Sequence, residues 1–465
     1  TLRLLSIQQF RRTLSVITAC EYLRVSESHG GTIGWRPKIS TEKSDFLWGS
    51  SQFSLGLWIG GTMTPNVLKG RDDSAINLLS KEKFGSNKEP AQILNCPCCN
   101  SILSVPQTDL AAGEHVLFFT VKGECSPELV DAVKELSNLE PSATGGLNIL
   151  NSSVEKNQNT QFSTLSLKIS RDQKISASQV DYFWKEVLKS LEEKSFNLVL
   201  CPFRASRPGY FERFYIFQGN EKPYDFEIFC PNPKCDLRQP WFGATPAGRI
   251  HNQEPQNHKK ENSVGTRKLT DGQFLVDVQD PFQITPYDSD RIPIPALTVD
   301  PQIYSQIPSV IISTVDKFAR PVFKPESTTI FGNADRCHAI RGFFSQHESE
   351  DKPPYPNLLA DLEMPDPPEM IIQDELHLID GPLGSMVGIY ETALDYICSQ
   401  TKKIKILAST ATIKKANEHI QSIFARKQVD MFPPNGINVG KRFFVTEHDA
   451  HPLDDTKPGR LYLGV

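Results

Sequence analysis

No apolar run in this chain approaches the roughly 18 residues a helix needs to cross a bilayer, and no secretory leader is visible. A soluble, cytoplasmic protein with no membrane partner is expected. An excess of positive charge is also lacking. The 50 Lys and Arg against 55 Asp and Glu give a net charge of −5. That excludes a uniformly basic nucleic-acid binder while leaving room for a local basic groove. A phosphate loop of the form G-x-x-x-x-G-K-S/T occurs nowhere in the 465 residues. The amides and lysine of such a loop hold the β- and γ-phosphates, so this chain alone is expected to bind ATP poorly. His and Asp residues clustered at metal-binding spacing, which a nuclease needs, are missing too.

What is present is a globular composition, 38% hydrophobic and 23% charged, at a length suited to two or three domains. The most informative stretch is Ile371-Ile372-Gln373-Asp374-Glu375-Leu376-His377. It reads as a short β-branched strand presenting two acids and a histidine at its C-terminal end. A second apolar strand, Ile404 to Ala408, ends in Ser409-Thr410-Ala411-Thr412. An acid pair at one buried strand tip and a hydroxyl-rich turn at the next suit Mg²⁺ and a nucleoside triphosphate.

These two segments resemble motifs II and III of superfamily 2 helicases and translocases. Three upstream segments agree in order. Thr1 to Gln9 resembles motif Ia, where a strand end meets the nucleic-acid backbone. Leu55 to Ile59 with Gly60-Gly61 resembles the next strand and its glycine pair. Val310 to Lys317 resembles the strand leading into Thr-Pro-x-Arg/Lys, with Val315 in place of the proline. The wording "STVDKFAR", "IIQDELHLIDGPLGS" and "ILASTATI" is similar to the large helicase-like component of DISARM antiphage systems, most densely at residues 1–66, 292–345 and 366–415.

The resemblance implies a RecA-like α/β fold, a parallel sheet flanked by helices, and an ATP- and Mg²⁺-dependent helicase or translocase acting on DNA within a defence complex of several subunits. It implies that Asp374 orients Mg²⁺ and that Glu375 positions or activates the attacking water. His377 would contact the turn formed by Ser409, Thr410 and Thr412. Thr314 and Lys317 would touch phosphates, as would Arg3, Gln8, Gln9 and the Gly60-Gly61 pair, positioning a strand without reading its sequence. In that superfamily the phosphate loop precedes motif Ia, so an inactive internal fragment of a longer enzyme is expected, with Leu461 to Val465 as the start of a further strand. The bland alternatives are a helix N-cap cluster for Asp374 and Glu375, and surface charge for Lys317 or Arg3. A catalytically silent scaffold on a motor-like fold is the competing function.

Ten cysteines form the second informative feature. Cys96-Pro97-Cys98-Cys99 holds a C-x₂-C knuckle and Cys230 to Cys235 a C-x₄-C knuckle. Two short turns can each supply two thiolates to a tetrahedral Zn²⁺, which predicts a site of Cys96, Cys99, Cys230 and Cys235, with Cys98 as alternate ligand. Disulfides and independent free thiols compete with that reading. Arg336-Cys337-His338 with His347 is a weaker metal candidate. Cys20, Cys125, Cys201 and Cys398 read as small buried residues.

Gly61 and Thr314 lie 253 positions apart, where compact motors have a short helix and loop. Residues 67–291 are therefore expected to be an α+β insertion, carrying the cysteine knuckles, between 1–66 and 292–440 of the first motor domain. Residues 441–465 would begin the link to a second one. A surface loop accepts such an insertion at small entropic cost. Within it, Thr164 to Ile169 and Phe196 to Leu200 read as strands, and Ala177 to Glu193 as a helix capped by Ser176 or Ser178. Residues 142–160 and 251–270 read as flexible loops. Tyr210, Phe211, Phe214, Tyr215 and Trp241 are candidates for base stacking, with core packing as the alternative.

Overall fold

The computed structural model describes residues 2–26, 34–41, 43, 47–49, 52–81, 88–123, 125–157, 162–217, 220–238, 250–251, 266–268, 274–276, 282–283, 292–334, 336–338, 342–345, 365–379, 381–399, 404–410, 416–426, 428–434 and 443–444. The strands that carry the architecture are β1 (Leu55–Trp58), β2 (Gly113–Lys122), β3 (Asn148–Lys156), β4 (Phe162–Arg171), β5 (Val199–Leu200), β6 (Tyr210–Phe217), β7 (Asn220–Ile228), β8 (Ala296–Leu297), β9 (Val310–Ser313), β10 (Met370–Gln373) and β11 (Lys405–Ala408). The helices are α1 (Leu2–Val25), α2 (Ala75–Ser80), α3 (Pro127–Lys134), α4 (Ala177–Glu192), α5 (Asp300–Gln306), α6 (Gly381–Cys398) and α7 (Ala416–Phe424). They form two compact units, Thr1–Pro368 and Glu369–Val465.

In the first unit, Ile7, Phe10, Leu14 and Val25 recur at helical spacing and form the buried face of α1. Leu5 and Leu23, each two positions from a residue of that face, are exposed. Polar residues share the buried face: the Arg24 guanidinium donates to Glu21 at 2.6 and 2.7 Å, and Glu21 also accepts the Phe53 amide at 2.9 Å. One helix therefore occupies the segment read as a motif Ia strand end, and Gln8 and Gln9 lie within it.

Every residue of β1 is buried, as a strand covered on both faces requires. It pairs in parallel with β8 through Leu55 and Ala296, and with β9 from Leu55–Val310 to Trp58–Ser313. Strands separated by more than 200 positions thus form one parallel sheet, with α1 packed on β1 and β9.

Between β1 and β8 the chain builds a separate antiparallel sheet in the order β3-β4-β2-β5. Alternation along β2 and β4 turns Leu117, Phe119 and Val121 with Leu165, Leu167 and Ile169 into one core. Helix α4 covers it with Val180, Phe183, Trp184, Val187 and Leu191, and Trp184 stacks on Phe119 at 4.5 Å. Ser176 caps α4 through a capping box with Gln179. Asp181 on the same helix accepts from the Arg204 guanidinium at 2.6 and 3.0 Å and from the Ser206 amide and hydroxyl, fastening the 204–206 turn.

The 142–160 loop expectation is overturned. Residues 148–156 are strand β3, which buries Ile149, Val154 and the Ser152 hydroxyl, bonded to the Val133 carbonyl at 2.7 Å, and exposes Asn148, Asn151, Ser153, Glu155 and Lys156. The Phe196 to Leu200 strand shortens to β5. Tyr210 and Phe211 are fully buried and belong to cores rather than to a stacking surface. The side chains of Phe214 and Tyr215, and all of Trp241, lie outside the described residues.

The second unit is a strand-helix-strand arrangement in which β10 and β11 pair in parallel from Met370–Lys405 to Gln373–Ala408, with α6 between them in sequence. Gly381 to Gly384 forms the first turn of α6. Helix α7 packs against α6, and His419 bonds the Ile379 carbonyl at 2.8 Å.

Candidate functional site

In the second unit the acidic segment leaves β10 where the hydroxyl segment leaves β11, because parallel strands point their C-terminal ends the same way. The Ser409 amide donates to the Gln373 carbonyl at 2.8 Å, and the Leu376 amide donates to the Ser409 carbonyl at 3.0 Å. Glu375 between them takes a left-handed backbone with φ of 51°, rare for a residue with a side chain. That bend lets the chain turn off the strand and return a hydrogen bond to its neighbour. Asp374 Oδ1 accepts the Glu375 amide at 3.0 Å, and the His377 ring nitrogen Nδ1 lies 3.3 Å from Glu375 Oε2. Asp374, Ser409 and Thr410 are exposed, and Glu375 and His377 half-buried. The structure thus gathers Asp374, Glu375, His377, Ser409 and Thr410 at two adjacent strand ends. Thr412 lies outside the described residues.

The corresponding end of the first unit's sheet carries a buried ionic network. Lys317, on the turn Val315–Ala319 after β9, is 1% exposed. Its ammonium donates to both Asp300 oxygens at 2.8 Å and approaches Asn66 Oδ1 at 3.4 Å. The Tyr304 hydroxyl donates to Asp300 at 3.2 Å and accepts the Trp58 indole N–H at 3.2 Å. Burial raises the Asp300 carboxyl and lowers the Lys317 ammonium from their ordinary ranges, and their mutual contact opposes both shifts. A side chain on Gly61 would meet the Asn66 amide at 2.3 Å, so the glycine makes room for Asn66. Lys317, expected at a phosphate, thus points inward to a carboxylate. The Thr314 amide bonds the Trp58 carbonyl at 3.3 Å. The Arg3 side chain lies outside the described residues.

The cysteines converge as the knuckle spacing predicts. The sulfurs of Cys96, Cys99, Cys230 and Cys235 all lie within 4.8 Å of one another. Cys96 and Cys235 are 3.9 Å apart and Cys99 and Cys230 3.4 Å. A tetrahedral zinc with bonds of about 2.3 Å implies sulfur–sulfur edges of about 3.8 Å, whereas a disulfide needs about 2.05 Å. The geometry fits a four-thiolate metal ion, and all four are free thiols.

Local structure holds the knuckles in shape. The Asn100 amide bonds the Cys96 carbonyl at 2.9 Å with Asn100 left-handed, while the Lys234 amide bonds Asn232 Oδ1 at 2.9 Å. The four thiols titrate as one group: contacts with Cys230 and then Cys235 hold Cys96 and Cys99 below the ordinary range, while contacts within the cluster and burial leave Cys230 and Cys235 above it. Cys98 is exposed and outside the group. The side chains of Cys337 and His338, and His347, lie outside the described residues. Cys20 is exposed and Cys125 and Cys201 half-buried, against the expectation of burial; Cys398 is buried.

Sequence reading missed Asp300, Tyr304 and Asn66 around Lys317, and Ser101 and Asn232 beside Cys99. Ser101 lies 3.1 Å from the Cys99 sulfur, and the Asn232 amide donates to Ser101 at 3.0 Å. The one available signal was Asp300 before a proline, a common helix start.

Together these features define a mixed α/β protein with parallel sheet and a four-cysteine cluster able to hold a metal ion. No family model matches the chain. It is similar to DISARM protein DrmA of Bacillus paralicheniformis, 40% identical over 180 residues. The match takes in 37% of this chain and 16% of that relative.

Proposed function

We propose that this chain is part of an ATP-dependent motor that moves on nucleic acid, DNA in view of its likeness to DrmA, within a cytoplasmic antiphage defence complex. The reading takes the two parallel-sheet units as portions of a RecA-like fold. The observation that carries it is the fastening of the acidic strand end at Asp374 and Glu375 to the Ser409 turn by reciprocal backbone bonds.

Two carboxylates beside hydroxyls form a hard oxygen donor set suited to Mg²⁺. Bound Mg²⁺-ATP supplies the reactive phosphoryl group and offsets its charge. Asp374, exposed at the strand tip, would hold the ion. Glu375 would orient the attacking water and accept its proton, with His377 Nδ1 lying 3.3 Å from the carboxylate. Ser409 and Thr410, tied to the acid segment through the main chain, relay its state. Cys96, Cys99, Cys230 and Cys235 would hold a structural Zn²⁺, every position being filled by protein.

ATP turnover by the full-length protein, with and without single-stranded DNA, tests the motor reading. Stimulation by DNA supports it. Absence of turnover in both conditions leaves a scaffold that binds DNA or partner subunits.

A further inference from the structure

The turn after β9 carries two cations, Lys317 and Arg320, and the structure treats them differently. Lys317 is enclosed: both Asp300 oxygens at 2.8 Å, Asn66 at 3.4 Å and the Trp58 ring face at 5.9 Å surround its ammonium. An ammonium has three protons to place, and these three oxygens account for them. Asp300 opens helix α5, where the helix dipole favours a carboxylate. The Tyr304 hydroxyl and Trp58 indole continue the chain of hydrogen bonds into the sheet. Phe318 packs edge-on against Trp58 at 5.9 Å. The turn is therefore pinned from below by charge and by ring packing. To reach a phosphate, Lys317 would have to leave Asp300 buried and unpaired, an expensive state.

Arg320, three positions on, is half-buried and feels the Asp300 charge, but its guanidinium makes no hydrogen bond or ion pair among the described residues. A planar guanidinium with five donors suits a phosphate oxygen pair.

We infer that Arg320 is the phosphate-contacting cation of this turn, and that Lys317 with Asp300 is a buried strut that positions it. The inference rests on the nucleic-acid reading above for its first half only. A strut of this kind fixes the Thr314–Arg320 segment relative to β1 and α5, so that binding a strand need not order it.

The test compares the full-length protein with Arg320→Ala, Lys317→Met and the double variant Asp300→Asn/Lys317→Met. Binding of a fluorescent oligothymidine is measured across a salt series, alongside the melting temperature. Arg320→Ala is expected to keep its melting temperature and weaken binding severalfold. It should also flatten the slope of log affinity against log salt by about 0.7, the share of one phosphate on a single strand. Lys317→Met is expected to melt earlier. The double variant, which removes both charges, should recover most of that loss and keep the parent salt slope. A double variant that folds but loses one phosphate's share of the slope, with Arg320→Ala unchanged, overturns the assignment. No binding by the unaltered protein sinks the nucleic-acid reading and the Arg320 role together. The melting comparison still decides the strut: failure of the double variant to recover rejects it.

Discussion

The Leu376 amide and the Ser409 carbonyl are 3.0 Å apart, a main-chain bond joining the segment after β10 to the segment after β11. With the Ser409 amide on Gln373 at 2.8 Å, it ties the two strand ends together by backbone bonds in both directions.

The four-cysteine cluster should hold one metal ion per chain. Replacing any of Cys96, Cys99, Cys230 or Cys235 with Ser should abolish stoichiometric zinc in the purified protein, while Cys98→Ser should retain it. Elemental analysis separates the two. A crosslink closing a loop of more than 100 residues is worth about 5 kcal/mol in chain-entropy terms, so chelation should also lower the melting temperature.

Asp181 accepts four hydrogen bonds from Arg204 and Ser206 inside the first unit. Asp181→Ala removes all four bonds, although Arg204 keeps the Ser80 carbonyl at 3.0 Å, and should cost about 2–3 kcal/mol. Chemical denaturation followed by Trp184 fluorescence is the measurement, and a loss below about 1 kcal/mol contradicts the assignment.

The Glu391 side chain on α6 is 4% exposed, and burial followed by the nearby Asp395 charge pushes its carboxyl up to about 7. In the unfolded chain it ionises near 4.5. Between those values the folded state keeps a proton that the unfolded state has lost, so stability is greatest at and below pH 4.5 on this account. It falls as pH rises toward 7 and then levels, by about 3 kcal/mol in all. Glu391→Gln should remove that slope and be the more stable protein at pH 8; parallel denaturation curves at pH 5 and 8 decide it.

The sequence displayed what local chemistry repeats. The knuckle spacing located all four converging sulfurs, and the apolar runs at 55–59, 310–313 and 371–373 located strands that pair in parallel. Alternation and capping residues placed β4 and α4. What stayed hidden depended on distant partners. Lys317 reads as a surface cation until Asp300 and Trp58 close around it. Residues 148–156 look like loop because Asn148, Asn151, Ser153 and Lys156 face outward from a strand whose partner is β4. The helical spacing of Leu5, Phe10, Leu14, Ile17 and Leu23 marks residues 1–24 as a helix, and Gln8 and Gln9 lie on it although the motif Ia resemblance places them at a strand end.

The central claim is that Glu375 does chemistry at a nucleotide site. The most direct measurement is ATP hydrolysis by the full-length protein in the presence of single-stranded DNA, beside Glu375→Gln. The account predicts DNA-stimulated turnover that the variant reduces by at least about 100-fold, with melting temperature and DNA affinity kept. Equal turnover in the two proteins would contradict it.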